Sequence, residues 1–419
     1  MNRRRFMQAA GATGIAAIAG CTGGSFFEVQ SSPTSIPPVP ENRPNAVYYP
    51  SHLEGMQMLG TSSVGNMENM GNTSNASGTN GSGGTNDSGG MDGMDRSGGT
   101  NGSEDVGGTN GSNGSSGMDV GGTSGAGDYA FGLMYSYPHR FWTVSGTERQ
   151  KTVLQDADSM HMMASVWEPR TRTVLPDTGL SVEISQKGDL VSEEVIYPML
   201  SQQMGFHYGA NFELPGDGTY TVELSAGAMN TRRTGAFEGM FSSPQSVEIE
   251  FDYSEQAKNE ISYRTLEDRA GQKGAVSPMD MSMMPQAYAP KRADLPGRVI
   301  GEGTSGDAKL LVTHVESPPA GVEGKTYLAA SARTPYNRLV IPAMALSGTL
   351  TRGGQAIFDG ELKRTLDPDL GYHYGAAVES VRSGDELTIT VDTPSQTARH
   401  EGYETAFLDG MNETTVAVP

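Results

Sequence analysis

Gly205-Phe206-His207-Tyr208-Gly209-Ala210 returns 166 residues later as Gly371-Tyr372-His373-Tyr374-Gly375-Ala376. Extended backwards at the same shift and without a gap, His161–Ala210 lies over Tyr327–Ala376 with 15 identities in 50 positions. Average residue usage would give roughly 3. The chain therefore carries one domain twice, and the chemistry should lie where the copies differ.

Around this stretch the pattern is that of an all-β protein. Short alternating runs at Ala130–Tyr135, Arg140–Val144, Met160–Val166, Leu180–Ser185, Tyr220–Ser225 and Val247–Tyr253 are separated by turn residues such as Leu214-Pro215-Gly216-Asp217-Gly218. The second copy has Leu310–Val315, Thr326–Ala332, Ala345–Leu350 and Glu386–Val391. Such spacing predicts two tandem immunoglobulin-like antiparallel β-sandwich domains, over 128–254 and 305–411. Residues 255–304 read as a connector, with helical character over Glu255–Asp268.

Upstream the composition changes. Arg3-Arg4-Arg5, the weakly apolar run from Ala9 to Gly20 and Ile18-Ala19-Gly20-Cys21 read as an export signal of twin-arginine type over 1–21, ending in a lipobox. Cys21 would then carry acyl chains and hold the protein to the bilayer at the outer face of the cytoplasmic membrane. Residues 22–127 read as a disordered Gly/Ser/Thr/Asn/Met-rich tether. Their low-complexity part holds seven Asn-x-Ser/Thr sequons, at Asn72, Asn75, Asn80, Asn86, Asn101, Asn110 and Asn113.

Composition excludes several functions. Cys21 is the only cysteine, so the domains have no disulfide, no thiolate nucleophile and no blue-copper or iron–sulfur site. A net charge of −20 argues against a nucleic-acid partner. No nucleophile motif or phosphate-binding loop marks an enzyme.

What remains is imidazole and thioether. His161 and Met163 are two apart in a predicted strand and leave the same face. Met199, Met204 and His207 follow, and together they offer a soft site suited to a copper or iron ion. Each residue taken alone is more often structural, Met filling irregular core gaps in particular. Met279, Met281, Met283 and Met284 form a second Met-rich group, a secondary Cu(I)-binding candidate whose plainer reading is an apolar strap. Further methionines stand at 56, 58, 67, 70, 91, 94 and 118.

Ala157-Asp158-Ser159-Met160-His161, then Met199 leading to His207-Tyr208-Gly209-Ala210-Asn211, then the turn Leu214-Pro215-Gly216-Asp217-Gly218-Thr219-Tyr220, resemble the motifs of periplasmic iron/copper-binding transport proteins. These work beside a high-affinity iron permease. The resemblance covers most of the first copy and implies that His161, Met199 and His207 are metal ligands, that the metal is passed to a membrane permease, and that binding rather than catalysis is the activity. It departs in two places. Met163 stands where that family has an acid, which softens the site toward copper. The family's late Arg-His segment is Arg232-Arg233-Thr234 here, whereas the second copy keeps it as Arg399-His400. The second copy in turn has Tyr327, Ala329 and Thr365 at the places of His161, Met163 and Met199.

Neither copy holds the full set. Because the family forms dimers, the chain is expected either to bring His400 to the first site as an intramolecular pseudo-dimer, or to carry the second copy as a degenerate structural half. A homodimer remains open beside these. The competing reading of the whole chain is a cell-surface interaction module that has lost its metal.

Overall fold

The computed structural model describes residues 30–31, 36–64 and 128–419. The export signal, Cys21, the sequons and the methionines at 67, 70, 91, 94 and 118 lie outside the described residues. Among those described, no helix is long and apolar enough to cross a membrane.

The chain is all-β, built from several mainly antiparallel sheets. In the first half, one sheet runs in the order Gln57–Ser63, Ala130–Ser136, Met160–Glu168, Gly205–Phe212, Tyr197–Ser201, Ala398–Arg399, Phe141–Ser145 and Glu148–Thr152. A four-stranded sheet of Asp189–Val195, Leu180–Gln186, Gly218–Ala226 and Gln245–Tyr253 belongs to the same half. Alternation decides its packing. In Gly218–Ala226 the side chains of Tyr220, Val222, Leu224 and Ala226 are buried while those between them are not, so one face meets the core and the other meets water. Met160–Glu168 is buried along its whole length, as expected of a central strand covered on both faces.

In the second half, Arg298–Ser305, Ala308–Val315, Thr326–Arg333, Gly371–Val378, Gln355–Asp367, Ala345–Arg352, Glu386–Thr393 and Thr414–Ala417 form one path. The thirteen-residue strand Gln355–Asp367 pairs with Ala345–Arg352 over its first part and with Gly371–Val378 over its last.

Each half also sends a two-residue strand into the other. Ala398–Arg399 runs parallel to Tyr197–Ser201, with Met199 opposite Ala398. Arg232–Arg233 runs parallel to Gln355–Asp367, with Arg232 opposite Thr365. Parallel neighbours need a long crossover, and here each crossover runs from one half of the chain into the other. Arg399 pins its strand. It is fully buried, donates to the Ser395 and Thr397 carbonyls at 2.9 and 2.7 Å, and lies over the Phe407 ring. Burial lowers its pKa to about 9.

Three expected boundaries move. Part of the segment read as tether is packed: Ala46, Val47 and Tyr48 are buried, Gln57–Ser63 is a sheet edge, and Met56 and Met58 pack on the core. A compositional reading missed this because the segment is short and cannot bury its apolar side chains except against the distant domains. The helix after the first domain covers only Glu255–Asn259, capped by Ser254 Oγ, and Ser262–Thr265 then pairs with His52–Glu54. The second domain extends beyond 305–411 at both ends, through Arg298–Ser305 and Thr414–Ala417.

Candidate metal centre

The centre lies where the first half's sheet receives the crossing strand. Tyr197–Ser201 and Gly205–Phe212 form a hairpin that sets Met199 opposite His207, and the next strand sets His161 opposite Asn211. His400 follows the crossing strand at once, and its backbone N–H donates to the Leu200 carbonyl at 3.1 Å. His139 enters from the segment ahead of Phe141–Ser145.

Four imidazoles converge. One ring nitrogen from each of His139, His161 and His400 lies within 4.8 Å of the others. His207 Nε2 is 3.2 Å from His400 Nε2. The His139 and His161 ring centres are 3.9 Å apart, and those of His139 and His400 4.7 Å.

Hydrogen bonds set how two of the rings face inward. Asn211 donates through Nδ2 to the His139 carbonyl, so its Oδ1 accepts the Nδ1–H of His161 at 2.7 Å. The Gly205 carbonyl accepts the Nδ1–H of His207 at 3.0 Å. In both rings the lone pair is left on Nε2, aimed inward, as in metal-ligating histidines whose other nitrogen is held by an acceptor. Among the described residues, the buried Nε2 atoms of His139 and His161 have no hydrogen-bond partner. A buried polar atom without a partner costs about 1–3 kcal/mol, and two imidazole nitrogens so placed side by side fit a cation between them.

Gly209 marks the space. A Cβ there would sit 2.9 Å from His161 Nε2 and 3.2 Å from Met199 Sδ, so any larger residue would fill the place where nitrogen and sulfur meet. Phe141, Met199 and Ala398 form a small apolar group beside the imidazoles. The donor set of imidazole nitrogens with one thioether fits copper and tolerates iron.

Burial also prepares the rings electrically. It pushes the pKa of His207 down to about 4, and the nearby His139 adds to this. His161 and His400 are held well below the usual histidine range by burial and then by His139. Neutral imidazole is the form that binds a metal. Glu54 stands on the far side of His139. Burial would raise its carboxyl, but His139 and His52 outweigh that and hold it well below the usual range.

The structure thus gathers His161, Met199, His207 and His400, with His400 arriving from the second half. Met204 lies in the hairpin turn and lines the cavity at the mouth of the centre with His52, Met56, His139 and His400. Met163 is part of the main core. Met284 is also a core residue, set against Gly132, while Met281 is partly buried and Met283 is 52% exposed. Met279, Met281 and Met284 line a separate surface cavity. Sequence reading missed His139 and Glu54. Tyr137-Pro138-His139-Arg140 carries no metal-ligand spacing, and His52-Leu53-Glu54 lies far from every other ligand in the chain.

At the equivalent place in the second half the protein supplies its own cation. Arg232 Nη2 donates to Tyr327 Oη at 2.7 Å, Thr365 Oγ1 at 2.7 Å and the Gly375 carbonyl at 2.9 Å. His373 Nε2 is 3.0 Å from Tyr327 Oη, and a Cβ on Gly375 would collide with that hydroxyl.

Two solved structures of FetP from uropathogenic Escherichia coli strain F11 are similar to this chain. One is a copper-bound variant (22% identity) and the other an as-isolated protein expressed in the periplasm of E. coli (18%). Each match covers 30% of this chain and 89% of FetP, with a TM-score of 0.24. No curated protein matches the chain. A family model described as a domain of unknown function, DUF7350, matches residues 136–250 and 293–417, more than half of the chain, and the protein belongs to that family.

Proposed function

We propose that the protein binds one transition-metal ion, copper or iron, at the centre formed by His139, His161, His207 and His400 with Met199 beside them. The observation that carries this reading is the pair of buried, partnerless Nε2 atoms on His139 and His161, gathered with His207 and His400, where burial keeps the His161, His207 and His400 rings neutral. Neutral imidazoles with a thioether favour copper over harder cations.

The wider role follows from the sequence. An exported chain anchored through Cys21 would capture the ion outside the cytoplasmic membrane and pass it to a membrane permease, acting as a carrier rather than an enzyme. The second half then serves as the structural partner that delivers His400. Arg232, filling the equivalent centre, supports that reading for this half.

The test is a titration of the full chain with Cu(II), Cu(I) and Fe(II), beside H207A and H161A. The expected result is a tight site of near one-to-one stoichiometry that both variants lose. Equal binding by wild type and variants would leave a surface module with no metal at this centre.

A further inference from the structure

The chain beyond the two domains does more than tether them. His52–Glu54 is a short strand, and alternation sets His52 and Glu54 on one face of it. Its position is fixed by the hairpin that carries Met199 and His207. Gln203, in the turn of that hairpin, accepts from the Glu54 backbone N–H through Oε1 at 3.3 Å and donates through Nε2 to the Glu54 carbonyl at 2.9 Å. The other edge pairs with Ser262–Thr265. At Gly55 the backbone passes so close to Ser262 that a Cβ would collide with its hydroxyl.

Held in this way, the Glu54 side chain reaches the back of the metal centre. Oε2 lies 2.7 Å from His139 Nδ1, and both side chains are largely buried, at 12% and 4% exposure. Oε1 lies 2.9 Å from His52 Nε2, and Ser136 Oγ approaches Oε2 at 3.4 Å. The far nitrogen of His52 meets Ser51 Oγ at 2.8 Å, and Ser51 also touches Glu401, which Arg140 pairs. Glu54 is therefore braced from both sides. Neither nitrogen of His139 makes a hydrogen bond of good angle among the described residues, but Nδ1 has the Glu54 carboxylate at 2.7 Å as its ion-pair neighbour.

We propose that Glu54, brought by the N-terminal segment, is the positioning residue of the metal centre. It takes the Nδ1–H of His139 and so presents the bare Nε2 to the ion. The inference rests on the metal reading above. A carboxylate behind a ligating imidazole fixes its tautomer and ring angle and raises its basicity, and losing such a partner typically weakens metal binding ten- to a hundredfold. Asn211 and the Gly205 carbonyl serve His161 and His207 in the same way, but neither is charged.

The test uses the full chain with E54A, E54L, E54Q, H139A and the double variant E54A/H139A, each checked for folding by its thermal transition. Cu(II) is the probe, read by competition titration and by the hyperfine pattern of its paramagnetic resonance spectrum. In the metal-free protein, nitrogen NMR reads the His139 tautomer directly. The expected result is about a tenfold to hundredfold loss of affinity in E54A and E54L. E54Q, which keeps an acceptor oxygen, should be affected less. The double variant should be no weaker than H139A alone, and metal-free E54A should lose the single Nδ1–H tautomer. E54L carries the test if E54A does not fold. Wild-type affinity and tautomer in E54A or E54L, or a loss that adds fully to that of H139A, would overturn the proposal while the centre itself stood. If H161A and H207A also bound like wild type, the metal reading would fall and the proposal with it.

Discussion

His207 and His373 are the same residue of the repeat, each with Nδ1 against the carbonyl two residues before it. What Nε2 meets separates them: another imidazole for His207, a tyrosine hydroxyl for His373. Both are buried to a pKa of about 4, with burial the main cause. In the unfolded chain such a residue titrates near 6.5, so between these values the unfolded state binds the extra proton and the folded state does not. The stabilising effect is complete above pH 6.5 and is lost as the pH falls toward 4. His373 alone should contribute roughly 3 kcal/mol of that loss. Denaturant unfolding of the metal-free protein at pH 7 and pH 4.5 should show a smaller difference in H373Q than in wild type. An unchanged difference would mean that His373 is not the neutral buried ring described here. His161, Met199 and His207 were legible as candidates through the motif resemblance, and His400 because the second copy keeps the late Arg-His segment that the first copy lacks. His139 was not, because no repeat partner or ligand spacing marks it.

Between elements, two short strands decide whether the centre exists. Ala398–Arg399 brings His400, and His52–Glu54 brings the carboxylate behind His139. The long strands were readable from alternation: Leu180–Gln186, Gly218–Ala226 and Gln245–Tyr253 lie within two residues of where the pattern put them. Two- and three-residue strands leave no periodic pattern, and their pairing energy comes from partners over a hundred residues away. For this reason the N-terminal segment read as tether. A chain beginning at Asp128 would lack the edge strand Gln57–Ser63, the buried Val47 and Tyr48, the Tyr48 bond to Glu404, and Glu54. Compared with the full chain, it should melt at a clearly lower temperature and bind Cu(II) at least about tenfold more weakly. Equal melting and equal affinity would show that residues 36–64 are dispensable to both fold and site.

Across the whole molecule the two halves carry different chemistry at matching places in the sequence. Each sends a strand into the other, yet what it brings differs: the first half gives Arg232, whose guanidinium sits among Tyr327, Thr365 and the Gly375 carbonyl of the second half, and the second half gives His400, whose imidazole joins those of His139, His161 and His207 in the first. One half thus pairs Tyr327, Thr365 and His373 with a fixed charge of the protein itself, and the other keeps imidazoles and a thioether. This exchange was open in the sequence as one of two arrangements, since a one-dimensional repeat shows which residues are missing but not which surface faces which. The most direct measurement is a Cu(II) titration of the full chain beside H400A, because His400 is the member of the imidazole cluster that comes from the second half. The account predicts near one-to-one binding in wild type and a loss of about tenfold or more in H400A with the fold intact. Equal affinity in the two proteins would contradict it.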